Sequence, residues 1–276
     1  MDMVKLKKTC LLFGISLLTF TGYLDATIVS TALPSIQSSL NMSMTQLQWI
    51  LNAFLLGIAA SMASMGRVGD IYGRRKVFYI AVAIFALASI GAGLSTSPIF
   101  LIFCRGIQGI TTGAVIPIGI ALIQTSHKPE DVAKAMGIFS SITGAGLAIG
   151  PVAGGALVYA FGWRGVFFIN VPFVLAGFLL CLFSVEESRS STEISLDYLG
   201  VLFLTITIVG VVFGVVEAAN YGWNSLNVII SFIVSVISLI GLVLVEHKVK
   251  HPIWEGGYLK TGFLSPVYYI ALWPAV

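Results

Sequence analysis

The sequence predicts an all-α fold: a polytopic bundle of transmembrane helices. Three observations carry that expectation. Of 276 residues, 57% are hydrophobic and only 10% charged, with a mean hydropathy of +0.98, whereas soluble domains run near 45–50% apolar and about 25% charged. Apolar runs recur at residues 10–34, 49–65, 77–94, 99–123, 135–161, 166–185, 199–216 and 226–245, each about the length needed to cross a ~30 Å hydrocarbon layer. The basic residues gather at the ends of these runs, so the net charge of +3 is not a nucleic-acid signal.

Each run is expected to be helical, because backbone groups in lipid need partners within their own segment, and none shows the alternation of a membrane β-barrel. Pro34, Pro117, Pro151 and Pro172 fall inside runs, which packed membrane helices tolerate. The first run follows Lys5, Lys7 and Lys8. It outlasts the ~7–15 residue core of a signal peptide and lacks a small-x-small cleavage site, so it reads as an uncleaved first span. Cys10, Cys104 and Cys181 lie in or at the edge of apolar runs without framework spacing and read as small apolar helix residues.

The connections set the orientation. The N-terminus and segments 66–76, 124–134, 186–197 and 246–260 hold thirteen of the fifteen Lys and Arg residues, while the alternate connections hold only Arg164. Positive charge stays on the cytoplasmic side, which places the N-terminus there. The chain is thereby divided into a six-helix bundle at 1–185, a polar cytoplasmic linker at 186–197, two further helices within 198–245, and a segment 246–276. That last segment holds a basic stretch and an apolar run, 263–276, shorter than the ~20 residues that spanning needs; it reads as part of a ninth helix.

Charges inside a membrane are costly and are functional hypotheses by default. Asp25, Arg105 and Glu217 are the three here. At ~1.5 Å per residue, Asp25 lies roughly 22 Å and Arg105 roughly 27 Å from the inner ends of their runs, so they share a depth and can pair. Two readings stand for them. One is a static buried ion pair. The other is a proton-coupling carboxylate, because burial penalises the charged form, a neighbouring guanidinium favours it, and displacing either influence loads or releases a proton. Glu217, at the outer end of its run, either joins that coupling or meets interfacial water. Arg105, Gln108 and Thr112 share one face at i, i+3 and i+7, and such a stripe points into the bundle, making Gln108 and Thr112 candidate cavity residues. Gly146, Gly150 and Gly154 recur every fourth residue around Pro151, with Gly155 beside them; this is either plain close packing or a bend used in motion. The charged hairpin at 66–76 holds Asp70 against Arg67, Arg74, Arg75 and Lys76, with Gly66 and Gly73 permitting a tight turn. No Walker A, His-Glu-x-x-His or Cys-x-x-Cys pattern occurs, so neither an enzymatic activity nor a metal or other cofactor is expected.

These residues resemble a known family. Gly66-x-x-x-Asp70-x-x-Gly73-Arg74-Arg75 is similar to the loop 2–3 signature of the major facilitator superfamily, and Arg105-x-x-Gln108-Gly109 to its helix 4 motif. Gly146-x-x-x-Gly150-Pro151-x-x-Gly154-Gly155 resembles its antiporter motif in helix 5, and Leu24-Asp25-Ala-Thr-Ile-Val, with Ala32-Leu33-Pro34, the helix 1 motif of drug:proton antiporters. Trp163-Arg164-x-x-Phe167-Phe168-Ile169-Asn170-Val171-Pro172 is similar to the fourteen-helix EmrB/QacA-type branch. Ile71 stands where the family often has a base. The resemblance implies a proton-coupled exporter of amphipathic or cationic small molecules, working in the cell membrane by alternating access. It implies proton coupling at Asp25 and Arg105, a cytoplasmic latch around Asp70, and an antiporter hinge at the helix 5 glycines. It also implies a second six-helix bundle, to which this chain contributes little. Two alternatives stand beside that expectation: a non-transporting fragment, or a half-transporter completed by a second chain. An enzyme embedded in the membrane would need a second polar cluster near an interface, which the sequence lacks.

Overall fold

A computed structural model describes residues 3–185 and 198–246. The linker 186–197 and the segment 247–276, with the expected part of a ninth helix, lie outside the described residues. All of the described regular structure is helical: α1 Met3–Leu40, α2 Met44–Tyr72, α3 Arg74–Gly93, α4 Pro98–Ser126, α5 Pro129–Phe161, α6 Gly165–Phe168, α7 Asn170–Leu182, α8 Tyr198–Tyr221 and α9 Leu226–Glu246. Seven of the described spans are long and apolar enough to cross a membrane, and α2 makes an eighth if its two limbs count together. This is a multi-pass membrane helical bundle.

One expected span is not straight. α2 bends by 53° between Met44–Met62 and Ser64–Tyr72, near Ser61 and Ser64, whose hydroxyls donate back to the carbonyls of Gly57 and Ser61, a recurrent accompaniment of helix bending. The sixth span, Gly165–Leu182, comprises α6 and α7, which meet at Ile169 in right-handed helical conformation. The prolines inside runs act as lipid-buried helices allow: α1, α4 and α5 continue through Pro34, Pro117 and Pro151. Pro172 sits in the first turn of α7, where its missing N–H has no intrahelical role.

The links are short. α1 and α2 are joined through Ser43, which makes a reciprocal capping box with Gln46, satisfying two donors at the start of α2. α2 and α3 are separated by Gly73 alone, at φ +104°, a backbone conformation that strains any side chain. The charged segment expected as a hairpin over 66–76 is therefore mostly helix: Gly66 and Asp70 belong to the last turns of α2, Arg74 and Arg75 to the first turn of α3.

The chain forms two compact units, Met1–Glu193 and Ile194–Val276. In the first, α1 packs chiefly on α5 and α7, and α4 on α2 and α3. Its core has two apolar layers. One holds Ile15, Leu18, Phe78, Phe85, Val115, Ile118 and Val174; the other holds Leu24, Ile28, Ile50, Leu101, Val166 and Phe167. Along α3, α4 and α7, the residues between these layers are Ser89, Arg105, Gln108 and Asn170, all fully buried. Large apolar side chains such as Leu87, Phe103, Leu179 and Phe183 stay exposed, which suits a surface solvated by lipid. In the second unit, α8 and α9 form an antiparallel pair. Gly210 and Gly214 admit Ser235 and Ser231 closely, and Ser238 donates across to the Phe203 carbonyl at 2.8 Å, the small-residue packing of membrane helices.

Candidate functional site

The polar layer is a single cluster built around an ion pair. Arg105, on α4, donates through Nη1 to Asp25 Oδ2 on α1 and, at 2.9 Å, to Gln108 Oε1 one turn further along α4. Its Nε donates to the Ile50 carbonyl of α2 at 3.2 Å. The guanidinium carbon lies 4.2 Å from the centre of the Phe54 ring and 6.0 Å from that of Phe167, distances at which an aromatic face attracts a cation. Gln108 Nε2 donates to Ser89 Oγ at 2.8 Å. Asn170, the first residue of α7, donates through Nδ2 to Asp25 Oδ1 at 2.7 Å and reaches Ser89 Oγ at 3.4 Å.

Asp25, Ser89, Arg105, Gln108 and Asn170 have no exposed surface. Six elements thus converge on one dry carboxylate–guanidinium pair whose remaining neighbours are neutral. The network is not closed, since Arg105 Nη2 and Asn170 Oδ1 are buried without a hydrogen-bond partner. At low local dielectric such a pair is strongly sensitive to any group that competes for either partner.

The sequence-predicted residues are distributed as follows. Asp25, Arg105 and Gln108 are brought together in the cluster. Thr112 is not; its hydroxyl donates to the Gln108 carbonyl at 2.8 Å, and it lines a small pocket with Leu18, Thr19, Gly22, Phe85 and Val174 that has room for about one water molecule. Glu217 lies on α8 in the second unit, buried to 7% exposure. Asp70 pairs with Arg74, Nε to Oδ1 at 2.7 Å, across the Gly73 link, and Arg75 lies over the Tyr79 ring at 5.9 Å. Gly66 has only an ordinary contact, with Pro117.

The α5 glycines form a seam against α1. A Cβ on Gly146 would come within 2.7 Å of the Phe20 carbonyl oxygen, and Cβ atoms on Gly150 and Gly154 would overlap the hydroxyls of Thr27 and Thr31. Gly155 has open space around the place of a Cβ, and Pro151 and Gly155 are exposed. The seam is therefore the every-fourth-residue set alone, because only those positions return to one face of a helix.

Ser89, Asn170, Phe54 and Phe167 also belong to the cluster. Asn170 had a readable signal: it is a lone amide near the start of an otherwise apolar run. Phe167 stands in the 163–172 signature, whereas Ser89 and Phe54 had no such signal, since serines and phenylalanines recur along the apolar runs.

Comparison with known proteins places this arrangement in a family. The description Major Facilitator Superfamily matches residues 15–205. The chain is 35% identical over 243 residues to the tetracenomycin C resistance and export protein of Streptomyces glaucescens, covering 88% of this chain and 45% of that protein. It is 33% identical over 237 residues to the multidrug resistance protein Stp of Mycobacterium tuberculosis (strain CDC 1551 / Oshkosh), covering 86% of this chain and 44% of that protein. The chain spans about half the length of the curated relatives it matches. A crystal structure of a bacterial homologue of the human lysosomal transporter Spinster, inward-facing and unoccupied, has the same fold. It matches with a TM-score of 0.56 at 19% identity, over 98% of this chain and 65% of that one. A charged cluster buried between apolar layers, a glycine seam from α5 to α1 and a one-residue α2–α3 link thus belong to a chain that is a member of the Major Facilitator Superfamily of membrane transporters.

Proposed function

We propose that this chain is the proton-coupling part of an exporter that exchanges amphipathic, cationic small molecules for protons across the cell membrane by alternating access. The observation that carries the reading is the fully buried Asp25–Arg105 pair, held by neutral partners and incompletely satisfied. A purely structural role explains it less well. Replacing a buried ion pair by apolar residues of similar volume is often neutral or stabilising, so stability alone gives little reason for the charges. A cationic substrate that competes with Arg105 for Asp25, or a proton that neutralises the carboxylate, each changes the same network, which makes the two mutually exclusive occupants. The relatives named for resistance and export support the substrate class. Within this proposal the N-terminus is cytoplasmic, Asp70 and Arg74 belong to a cytoplasmic latch, the α5–α1 seam lets the helices shift, Gln108 and Thr112 adjoin the substrate path, and Glu217 is a subsidiary proton site.

The test is substrate-induced proton release in the full-length context, comparing the parent with Asp25→Asn. Loss of release, with substrate binding retained, is the expected result; undiminished coupling overturns the role of Asp25. A second reading is that a second helical bundle, supplied by another chain, completes the transporter. Co-expression with a candidate second bundle, scored by co-purification and restored transport, distinguishes it.

A further inference from the structure

We infer that Asn170 is a two-state partner of Asp25: its amide donates to the carboxylate and, rotated about its terminal torsion, accepts from the protonated acid. The inference rests on the proton-coupling role proposed for Asp25. Both carboxylate oxygens are occupied by different kinds of donor. Arg105, permanently charged, takes Oδ2, and the neutral amide of Asn170 takes Oδ1 at 2.7 Å. A proton arriving at Asp25 therefore goes to Oδ1, because a guanidinium has no acceptor to offer a new O–H at Oδ2. The donor already at Oδ1 must then give way.

Asn170 is equipped to do so without leaving. Its other amide atom, Oδ1, is buried and has no partner, so half a turn of the amide presents an acceptor where a donor stood. In the ionised state one N–H meets the carboxylate and the amide oxygen is idle. In the protonated state the new O–H meets the amide oxygen and the NH2 group is idle. One heavy atom of the amide is without a partner in each state, the oxygen in one and the nitrogen in the other. Ser89 Oγ, 3.4 Å from Asn170 Nδ2, is a hydroxyl that donates or accepts as needed and so tolerates either orientation. No covalent partner is required: the proton comes from water, one O–H bond forms at Asp25, and the net charge of the cluster rises by one.

The surroundings favour this division of labour. The printed partners of Asp25 are Arg105 from α4 and Asn170 from α7, while Phe54 and Phe167 lie against the Arg105 guanidinium and Ser89 accepts from Gln108. α5 offers the glycine seam at this level, and its charged residues Glu130, Asp131 and Lys134 lie in its first two turns. Asn170 is also the first residue of α7, directly after the short α6.

The test is infrared titration of the chain in lipid bilayers, following the carboxylic C=O stretch and assigning the Asp25 band by its loss in Asp25→Asn. In Asn170→Leu, which offers neither donor nor acceptor, the expected result is a C=O band moved to the frequency of a free acid. In Asn170→Asp, of nearly the same shape, a second carboxylate beside Asp25 should raise the proton affinity of the pair at least about tenfold and split the titration into two steps. An Asp25 band unchanged in position and midpoint in these variants overturns the two-state role while leaving proton coupling intact. A spectrum with no band dependent on Asp25 at any pH removes the proton-coupling reading, and this inference with it. Should Asn170→Leu fail to fold, by helical circular dichroism and elution as a single species, Asn170→Asp decides alone.

Discussion

Asp25 and Arg105 are each tolerable in the interior only because of the other. Removing one partner of a buried pair leaves an unsolvated charge and typically costs about 3–5 kcal/mol, whereas removing both with apolar replacements leaves none. Arg105→Met alone is accordingly expected to destabilise the first unit by about that much, while Asp25→Leu/Arg105→Met recovers most of the loss. Unfolding in mixed detergent, read as a double-mutant cycle, checks this. A double variant as unstable as the single one would mean that shape, rather than charge, holds the cluster. The contrast with Asp70–Arg74 is instructive. That pair is part-exposed and is worth at most about 1 kcal/mol, so Asp70→Asn should leave the melting temperature almost unchanged. A large fall in transport with unchanged stability is the expected signature of a latch.

The helices meet in two ways, and substitutions should separate them. The α5–α1 seam brings backbone and side chains so close that a methyl group at Gly150 overlaps Thr27. Gly150→Ala should cost about 1–3 kcal/mol, the usual penalty of overpacking. Gly155→Ala, five residues further along the same helix but facing open space, should stay within about 0.5 kcal/mol of the parent. Equal effects at the two positions would contradict the seam. The α2–α3 link behaves differently, because its requirement is conformational: with φ at +104°, Gly73→Ala carries about 1–3 kcal/mol of backbone strain whatever space surrounds it. Thermal unfolding of the three variants side by side checks all of these.

At the scale of the whole molecule, the orientation proposed for the chain rests on charge. The sequence gathers thirteen of its fifteen bases in the N-terminus and alternate connecting segments, and Arg164 donates to the Ser95 carbonyl, joining the α5–α6 and α3–α4 links at one end of the first unit. In a cysteine-free background, Lys8→Cys and Lys128→Cys should resist a membrane-impermeant thiol reagent applied to intact cells, while Asn41→Cys reacts. The reverse pattern would invert the topology proposed for the chain.

Much of this protein was legible in one dimension. Length and apolarity of the runs determine that the chain is a membrane helical bundle, because lipid leaves the backbone no other means of satisfying its polar groups. The charges of Asp25 and Arg105 marked themselves, since each stands alone in an apolar run. Tertiary structure decided the rest. It showed that Asn170 and Ser89 complete the cluster, that the charged segment around Asp70 is helix with a single-residue turn, and that Pro151 and Gly155 lie off the α5 seam. These depend on which faces of different helices meet, and a period read along one helix does not say which neighbour lies across from it. Sequence determined which groups are too costly to leave unpaired in a membrane, and only the packing of five elements around α1 decided what they are paired with.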